Sequence, residues 1–285
     1  MPELPEVETV VRGLRPLVDG RTFAKVDSRN AHPSSIVVGK SLGKKRLDDL
    51  LPGRTVLRIR RRGKNILIEL DHDLTLWVHL KMTGKFMQVA AELPRDKHDL
   101  VTFDFAPNGE SAPLQLRFND YRRFGRLRLY PNDELWEQPA LRDLGPEPLE
   151  IKPQEFVELC QRRTRMIKPA LMDQSFIAGV GNIYADESLY LSRLHPARLT
   201  SSISRPKLIE LHGHLQHMLR KSIRLMGTTV ISYAGVDGSS GSFQKMLKAY
   251  GREGEPCERC GTKLIREKLG SRSAHYCPRC QRRPR

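Results

Sequence analysis

Four cysteines near the C-terminus have the spacing of a metal site: Cys257-x2-Cys260-Gly261 and Cys277-x2-Cys280, with 16 residues between the pairs. Two such pairs on the turns of a β-hairpin bring four thiolates within reach of one tetrahedral Zn²⁺. With four protein ligands and no open position, the metal would be structural, bracing a hairpin that has too little apolar material to fold alone. The other end of the chain offers a second kind of chemistry. Removal of Met1 exposes Pro2, whose terminal amine has a reference pKa of about 7.7–8.0 and is neutral in roughly one molecule in ten at pH 7. A neutral amine can attack a sugar C1′ or an aldehyde and form a Schiff-base type intermediate. Glu3 beside it is a possible general acid, and Glu6 falls where a carboxylate suits the helix dipole. From the residues alone, Met1-Pro2-Glu3 reads first as plain helix-entry chemistry, and catalysis by Pro2 needs further support.

The elements that must position these groups follow from periodicity. Val7, Val10, Val11, Leu14 and Leu17 recur at helical spacing, with Pro5 tolerated in the first turn and Pro16 and Gly20 closing the pattern. From about residue 22 to 131 the period becomes two, in short segments at 55–60, 65–70, 74–80, 101–105, 114–118 and 127–130 between Gly, Pro, Asn and Asp. That spacing predicts a β-sandwich. Helical spacing returns after the segment at 145–148, at 156–160, 183–194 and 208–226, and the Gly- and Ser-rich run 235–242 reads as a loop. The expected class is α+β with three parts: an N-terminal helix and β-sandwich over 1–135, a helical domain over 136–242, and a zinc finger over 243–285.

Charge indicates the partner. Forty-nine Lys+Arg against 33 Asp+Glu leave +16, and the last 43 residues alone hold 12 bases and 4 acids. A polyanion is expected, contacted in part by Lys263, Arg266, Lys268 and Arg272 between the cysteine pairs. No apolar run approaches the roughly 18–20 residues of a membrane span, and the first residues lack the basic and apolar regions of a signal peptide. Five cysteines, four of them in the metal pattern, suit a reducing compartment. His212, His214 and His217 are expected on the polar side of a helix whose apolar face is Leu208, Leu211, Leu215, Met218 and Leu219. Cys160 is expected to be buried.

Several blocks carry a resemblance across the chain. Pro2-Glu3-Leu4-Pro5-Glu6-Val7-Glu8, His79-Leu80-Lys81-Met82-Thr83-Gly84, Asp120-Tyr121-Arg122-Arg123-Phe124-Gly125, Leu144-Gly145-Pro146-Glu147-Pro148-Leu149, Ile167-Lys168-Pro169, Gly179-Val180-Gly181-Asn182-Ile183-Tyr184-Ala185 and the four-cysteine finger come in the order found in bacterial formamidopyrimidine-DNA glycosylases, which the sequence resembles. The resemblance implies a helix-two-turn-helix around residues 168–193. It implies Pro2 as Schiff-base nucleophile, Glu3 as acid/base partner, Lys64 as an aid to β-elimination and Arg272 in δ-elimination. Met82, Arg122 and Phe124 match the triad that fills the void left by an extruded nucleotide; by pattern alone, Met82 and Phe124 would be core residues. His98, Arg163, Lys168 and Asn182 match positions that bind the DNA backbone, and Gly179-Val180-Gly181-Asn182 sits at a loop-to-helix junction able to receive a phosphate.

The activity so implied is excision of oxidised purines, 8-oxoguanine opposite cytosine and ring-opened formamidopyrimidines, from duplex DNA, followed by β,δ-elimination at the abasic site. One structural Zn²⁺ and no nucleotide or redox cofactor are expected, in a monomer acting on damaged double-stranded DNA in the bacterial cytosol. Two departures from the family pattern are visible: Arg163 stands where lysine is common, and the lesion-covering loop at 228–242 is recognisable only by Thr228-Thr229 and its Gly and Ser content. The alternatives are an endonuclease VIII-type glycosylase for oxidised pyrimidines, against which Leu4, Arg122 and Phe124 argue, a non-catalytic lesion-binding protein, and a zinc-ribbon transcription factor.

Overall fold

The helical pattern at the N-terminus forms α1 (Leu4–Val18), with Pro5 in its first turn and Leu4, Val7, Val10, Val11, Leu14 and Val18 all buried. The structure is a computed structural model that describes residues 1–107, 109, 112–162, 164–228 and 241–283. The chain divides into two units, one of Met1–Arg142 with Met226–Gly241, the other of Asp143–Leu225 with Ser242–Arg285.

In the first unit α1 is followed by β1 (Phe23–Asp27), β2 (Ile36–Val38), the short α2 (Leu47–Leu50), β3 (Val56–Arg62), β4 (Asn65–Leu70), β5 (Leu74–His79), β6 (Lys85–Val89), β7 (Asp99–Phe105), β8 (Leu114–Asn119) and β9 (Arg126–Pro131). The strands form two sheets, ordered β1-β7-β8-β6 and β2-β9-β5-β4-β3. All named pairs are antiparallel except β2 with β9. Alternation turns Phe103, Phe105 and Leu116 of one sheet and Val56, Ile68 and Leu76 of the other into a shared core that also takes Leu14 and Val18 of α1. This is the sandwich predicted from the period-two segments. The short helices α3 (Asn132–Glu137) and α4 (Pro139–Arg142) follow, and α3 packs on β9 and β5. That packing keeps the chain in this unit as far as Arg142.

The second unit contains α5 (Pro153–Gln161), α6 (Ile167–Met172), α7 (Asn182–Leu191), α8 (Arg205–Arg224) and the hairpin of β10 (Ile265–Leu269) and β11 (Arg272–Tyr276). Leu208, Leu211, Leu215, Met218 and Leu219 of α8 are buried against α5 and α7. His212 is buried with them, its Nε2 2.9 Å from the Ile151 carbonyl and its ring against Phe156. The expectation of three histidines on a polar face therefore fails at His212, because a main-chain acceptor lets an imidazole share the apolar side. Cys160 is buried, which pushes its thiol up to about 12. Among the described residues, no helix is long and apolar enough to cross a membrane.

Candidate active site and nucleic-acid interface

Pro2 lies half-exposed immediately ahead of α1. Glu3, only 4% exposed, is the N-cap of that helix in an extended conformation. Its backbone N–H donates to Glu6 Oε2 at 2.9 Å, which orders the chain right after the proposed nucleophile. The other oxygen of the Glu6 carboxylate accepts the N–H of Thr228 at 2.9 Å and its hydroxyl at 3.0 Å. Gly227, at φ +79°, lies so close to Glu6 that a Cβ there would meet Cγ and Oε1 at 3.0 Å. The root of the expected lesion-covering loop is thus fastened to α1, the helix that Pro2 precedes. Residues 229–240 of the loop lie outside the described ones.

Lys64 sits in the two-residue turn between β3 and β4, where Arg62 pairs with Asn65 and Gly63 takes φ +56°. The turn is fastened on both sides. Asn65 accepts from Trp77 Nε1 at 2.9 Å and donates to the Arg62 carbonyl, while Arg61 donates to the Gly63 carbonyl and pairs with Glu8 of α1 at 3.2 Å. Arg61 thereby links the helix behind Pro2 to the turn that holds Lys64, which is only 6% exposed. His79, given no role by the sequence, shares this environment. Its Nδ1 accepts the N–H of Lys81 at 2.9 Å, and burial together with the charges of Lys81, Lys64 and Arg128 lowers its pKa to about 3. His79 lies near the end of the 74–80 strand segment with nothing in residue type to mark a role, and only the folded hairpins bring Lys64 into range.

Met82 and Phe124 are 44% and 45% exposed, not in the core where their pattern alone would place them. Arg122 lies with both, its Nη1 3.1 Å from Met82 Sδ and its guanidinium 4.9 Å from the centre of the Phe124 ring. Two apolar tips and a planar cation form one exposed group. His98 lies on the segment leading into β7, with its N–H on Asp96 Oδ1 at 2.8 Å and its Nδ1 buried without a partner among the described residues.

In the second unit, Asn182 is the first residue of α7, behind Gly179 at φ +83° and the N-cap Gly181. Gln174 braces this loop through Gly179 N–H and the Val180 carbonyl, each at 2.9 Å. Asn182 Oδ1 is buried and has no partner among the described residues. Arg163 lies outside the described residues. Lys168 is 1% exposed, with Nζ hydrogen-bonded to Asp186 Oδ1 and to the Ser273 carbonyl, each at 2.5 Å. Asp186 Oδ2 in turn takes the N–H and the Nδ1 of His275, both at 3.0 Å. Asp186 and His275 escape a motif search because their value lies in pairing across 89 residues. Arg272 opens β11 beside Gly270, at φ +62°, and is exposed at the hairpin tip.

The four cysteine sulfurs lie within 4.8 Å of one another. Tetrahedral zinc with Zn–S of about 2.3 Å requires S···S separations of roughly 3.8 Å, so the four thiolates fit that ion. The turns fit it as well: Gly261 N–H closes on the Cys257 carbonyl at 2.8 Å and Cys280 N–H points at Cys277 Sγ at 3.4 Å. Leu264, Ala249 and Tyr190 complete a small core with Cys257 and Cys277, seating the finger on α7.

Residues 1–127 match the formamidopyrimidine-DNA glycosylase N-terminal domain, 144–233 the helix-two-turn-helix domain of the same enzymes, and 254–283 the zinc finger found in FPG and IleRS. A formamidopyrimidine-DNA glycosylase of Herpetosiphon aurantiacus is 43% identical, covering 99% of this chain and 100% of its own. The chain belongs to the formamidopyrimidine-DNA glycosylase family. The glycosylase is also similar to solved structures of the Lactococcus lactis enzyme. A point mutant of that enzyme with Fapy-dG-containing DNA gives a TM-score of 0.88, and a complex with abasic-site DNA gives 0.87; each is 35% identical and covers 99% of this chain and 100% of that one. As a member, this glycosylase is an enzyme of DNA repair whose finger carries one structural Zn²⁺.

Proposed function

We propose that the glycosylase excises oxidised purines, 8-oxoguanine opposite cytosine and formamidopyrimidines, from duplex DNA and then cleaves the strand by β,δ-elimination. The observation that carries this reading is the N-terminal arrangement: Pro2 ahead of a Glu3 N-cap held by Glu6, on a helix joined through Glu8 and Arg61 to the turn of Lys64. With Met1 removed, the Pro2 nitrogen lone pair attacks C1′, the glycosidic C1′–N bond breaks with its electrons on the base, and a proton reaches the base. Glu3 supplies a proton to the ring oxygen as the sugar opens to the iminium. Loss of a proton from C2′ expels the 3′-phosphate, a step assigned to Lys64. A second elimination expels the 5′-phosphate, assigned to Arg272, and water releases Pro2.

Met82, Arg122 and Phe124 would fill the vacated stack, the arginine offering donors to the orphaned cytosine. His98, Arg163 and Asn182 would hold phosphates, whereas Lys168, expected to do so as well, is buried on Asp186 and would instead fix the Ser273 end of the hairpin that bears Arg272. The proposed setting is a monomer in the bacterial cytosol, at the nucleoid. The curated relatives and the Lactococcus lactis complexes with Fapy-dG and abasic DNA support this substrate class.

Borohydride trapping on a duplex with one 8-oxoguanine opposite cytosine, followed by mass spectrometry of the cross-linked peptide, tests the proposal. A lesion-dependent adduct on Pro2 is expected. No adduct from zinc-loaded protein with a free Pro2 would overturn it, and the same trap on an oxidised pyrimidine would then reveal the endonuclease VIII-type alternative.

A further inference from the structure

Two crossover turns stand side by side at one end of the sandwich. The turn at 80–84 carries the chain from β5 of the five-stranded sheet to β6 of the four-stranded sheet, and the turn at 120–125 returns it from β8 to β9. Register fixes their proximity, since His79 pairs with Arg126 and Lys85 with Asn119. Met82 belongs to the first turn, Arg122 and Phe124 to the second. Each turn also contains a non-glycine residue in the left-handed region, Lys81 at φ +55° and Arg123 at φ +57°. Such residues persist only where surrounding contacts hold them.

One buried side chain ties the two turns together. Asp120 is 0% exposed and receives donors from both turns: the Thr83 hydroxyl and the Arg122 N–H at 3.2 Å on Oδ1, and the Gly125 N–H at 2.7 Å on Oδ2. Its own N–H donates to the His98 carbonyl at 2.9 Å, and its carbonyl accepts the Arg123 N–H at 3.1 Å. Glycine at the ends of the turns lets them close on the same floor. A Cβ at Gly84 would meet Phe118 Cζ at 2.8 Å, and one at Gly125 would meet it at 2.6 Å. Carboxylate hydrogen bonds of this kind are short, strong and costly to leave unmade when buried.

We infer that Asp120 is the positioning residue of the DNA-facing wedge, holding Met82, Arg122, Phe124 and the His98 segment in one arrangement while touching no DNA itself. The inference rests on the wedge role proposed above for Met82, Arg122 and Phe124. Without the carboxylate, the three side chains remain in the molecule but lose their mutual register, so nucleotide extrusion and reading of the opposite base suffer while chemistry at Pro2 is spared.

Asp120→Asn keeps the volume and sets an amide N–H₂ against donors. Expected for zinc-loaded D120N is a fall in 8-oxoguanine excision from duplex of at least about tenfold, the equivalent of one such buried bond. Discrimination between cytosine and adenine opposite the lesion should also shrink, and borohydride trapping on a single-stranded abasic oligonucleotide, which needs no wedge, should be unchanged. Wild-type duplex activity and base discrimination in D120N would overturn the inference, as would equal losses on duplex and single strand. Should D120N not fold, Thr83→Val removes one donor at constant shape and should give the same pattern with a smaller loss; an unchanged duplex rate there would also overturn it. Failure of the wild-type protein to trap on the single strand would instead count against Pro2 as nucleophile.

Discussion

Glu6 and Thr228, 222 residues apart in sequence, meet through one carboxylate oxygen that takes both the N–H and the hydroxyl of the threonine. The second oxygen holds Glu3 N–H. One side chain thus ties the residue after Pro2 to the root of the loop expected to cover the lesion, and the far root is close as well, since a Cβ at Gly241 would lie 2.2 Å from the Gly227 carbonyl oxygen. Hydrogen bonds to a buried charged acceptor contribute about 1.5–3 kcal/mol each. Glu6→Ala should therefore raise amide exchange at Thr228 by roughly ten- to a hundredfold through local opening. Exchange measured by mass spectrometry on the zinc-loaded protein checks this, and protection at Thr228 equal to wild type would show that another group carries the loop root.

His79 should make the stability of the first unit sensitive to acid. Its pKa of about 3 lies below the unfolded value of about 6.5, because burial and the neighbouring cations disfavour the charged ring. Between these values the unfolded chain binds a proton that the folded one does not. Stability contributed by the neutral ring is therefore complete above about pH 6.5 and declines as pH falls toward 3, with a slope of up to about one proton. His79→Gln should flatten the pH dependence by that amount. Urea midpoints followed by the fluorescence of Trp77 and Trp136, both in the first unit, between pH 4 and 7 measure it, and parallel curves for the two proteins would count against a depressed pKa.

Local pattern made some of this structure legible and could not reach the rest. The stripe from Leu4 to Val18, the apolar runs of β4, β5 and β7 and the alternation in β8 and β9 express side-chain burial directly, which is why helix and sandwich could be read. β2 could not be read in that way, being three residues long and parallel to β9 through pairs such as Ile36 with Leu127. β6 has a single fully buried side chain, Phe86. Met82 and Phe124 misled by hydrophobicity alone, because the left-handed Lys81 and Arg123 that accompany them are invisible in residue type. Lys168 was legible as a cation of the motif Ile167-Lys168-Pro169, but its bonds to Asp186 and Ser273 depend on distant elements.

The Lys168–Asp186 pair should respond to mutation as a buried charge pair does. Both side chains are almost wholly inaccessible, and Asp186 also holds His275. Lys168→Met removes the cation and strands the carboxylate, for an expected loss of about 3–5 kcal/mol in the opening free energy of α7. Adding Asp186→Asn should recover part of that loss, since the stranded charge is then gone. Hydrogen exchange of α7 amides in both variants is the measurement. A double variant no better than the single one would indicate that the ammonium acts through Ser273 instead.

Zinc removal separates the finger from the rest of the molecule. The hairpin of β10 and β11 has Leu264, Ala274 and Tyr276 as its buried apolar side chains, too few to hold it without the four thiolates bound to metal. Its seat on α7 includes the Tyr190 hydroxyl 3.2 Å from Cys257 Sγ and Arg259 stacked 4.3 Å from the Tyr190 ring. A chelator should abolish exchange protection in the hairpin and loosen Asp186, which loses His275, and leave α1 and the sandwich protected as before. Expulsion of the 5′-phosphate, the step assigned to Arg272, should be lost with the metal and return on adding zinc, because Arg272 regains its place at the tip. Retained hairpin protection after the metal is shown to be gone would mean that the small core folds the finger unaided.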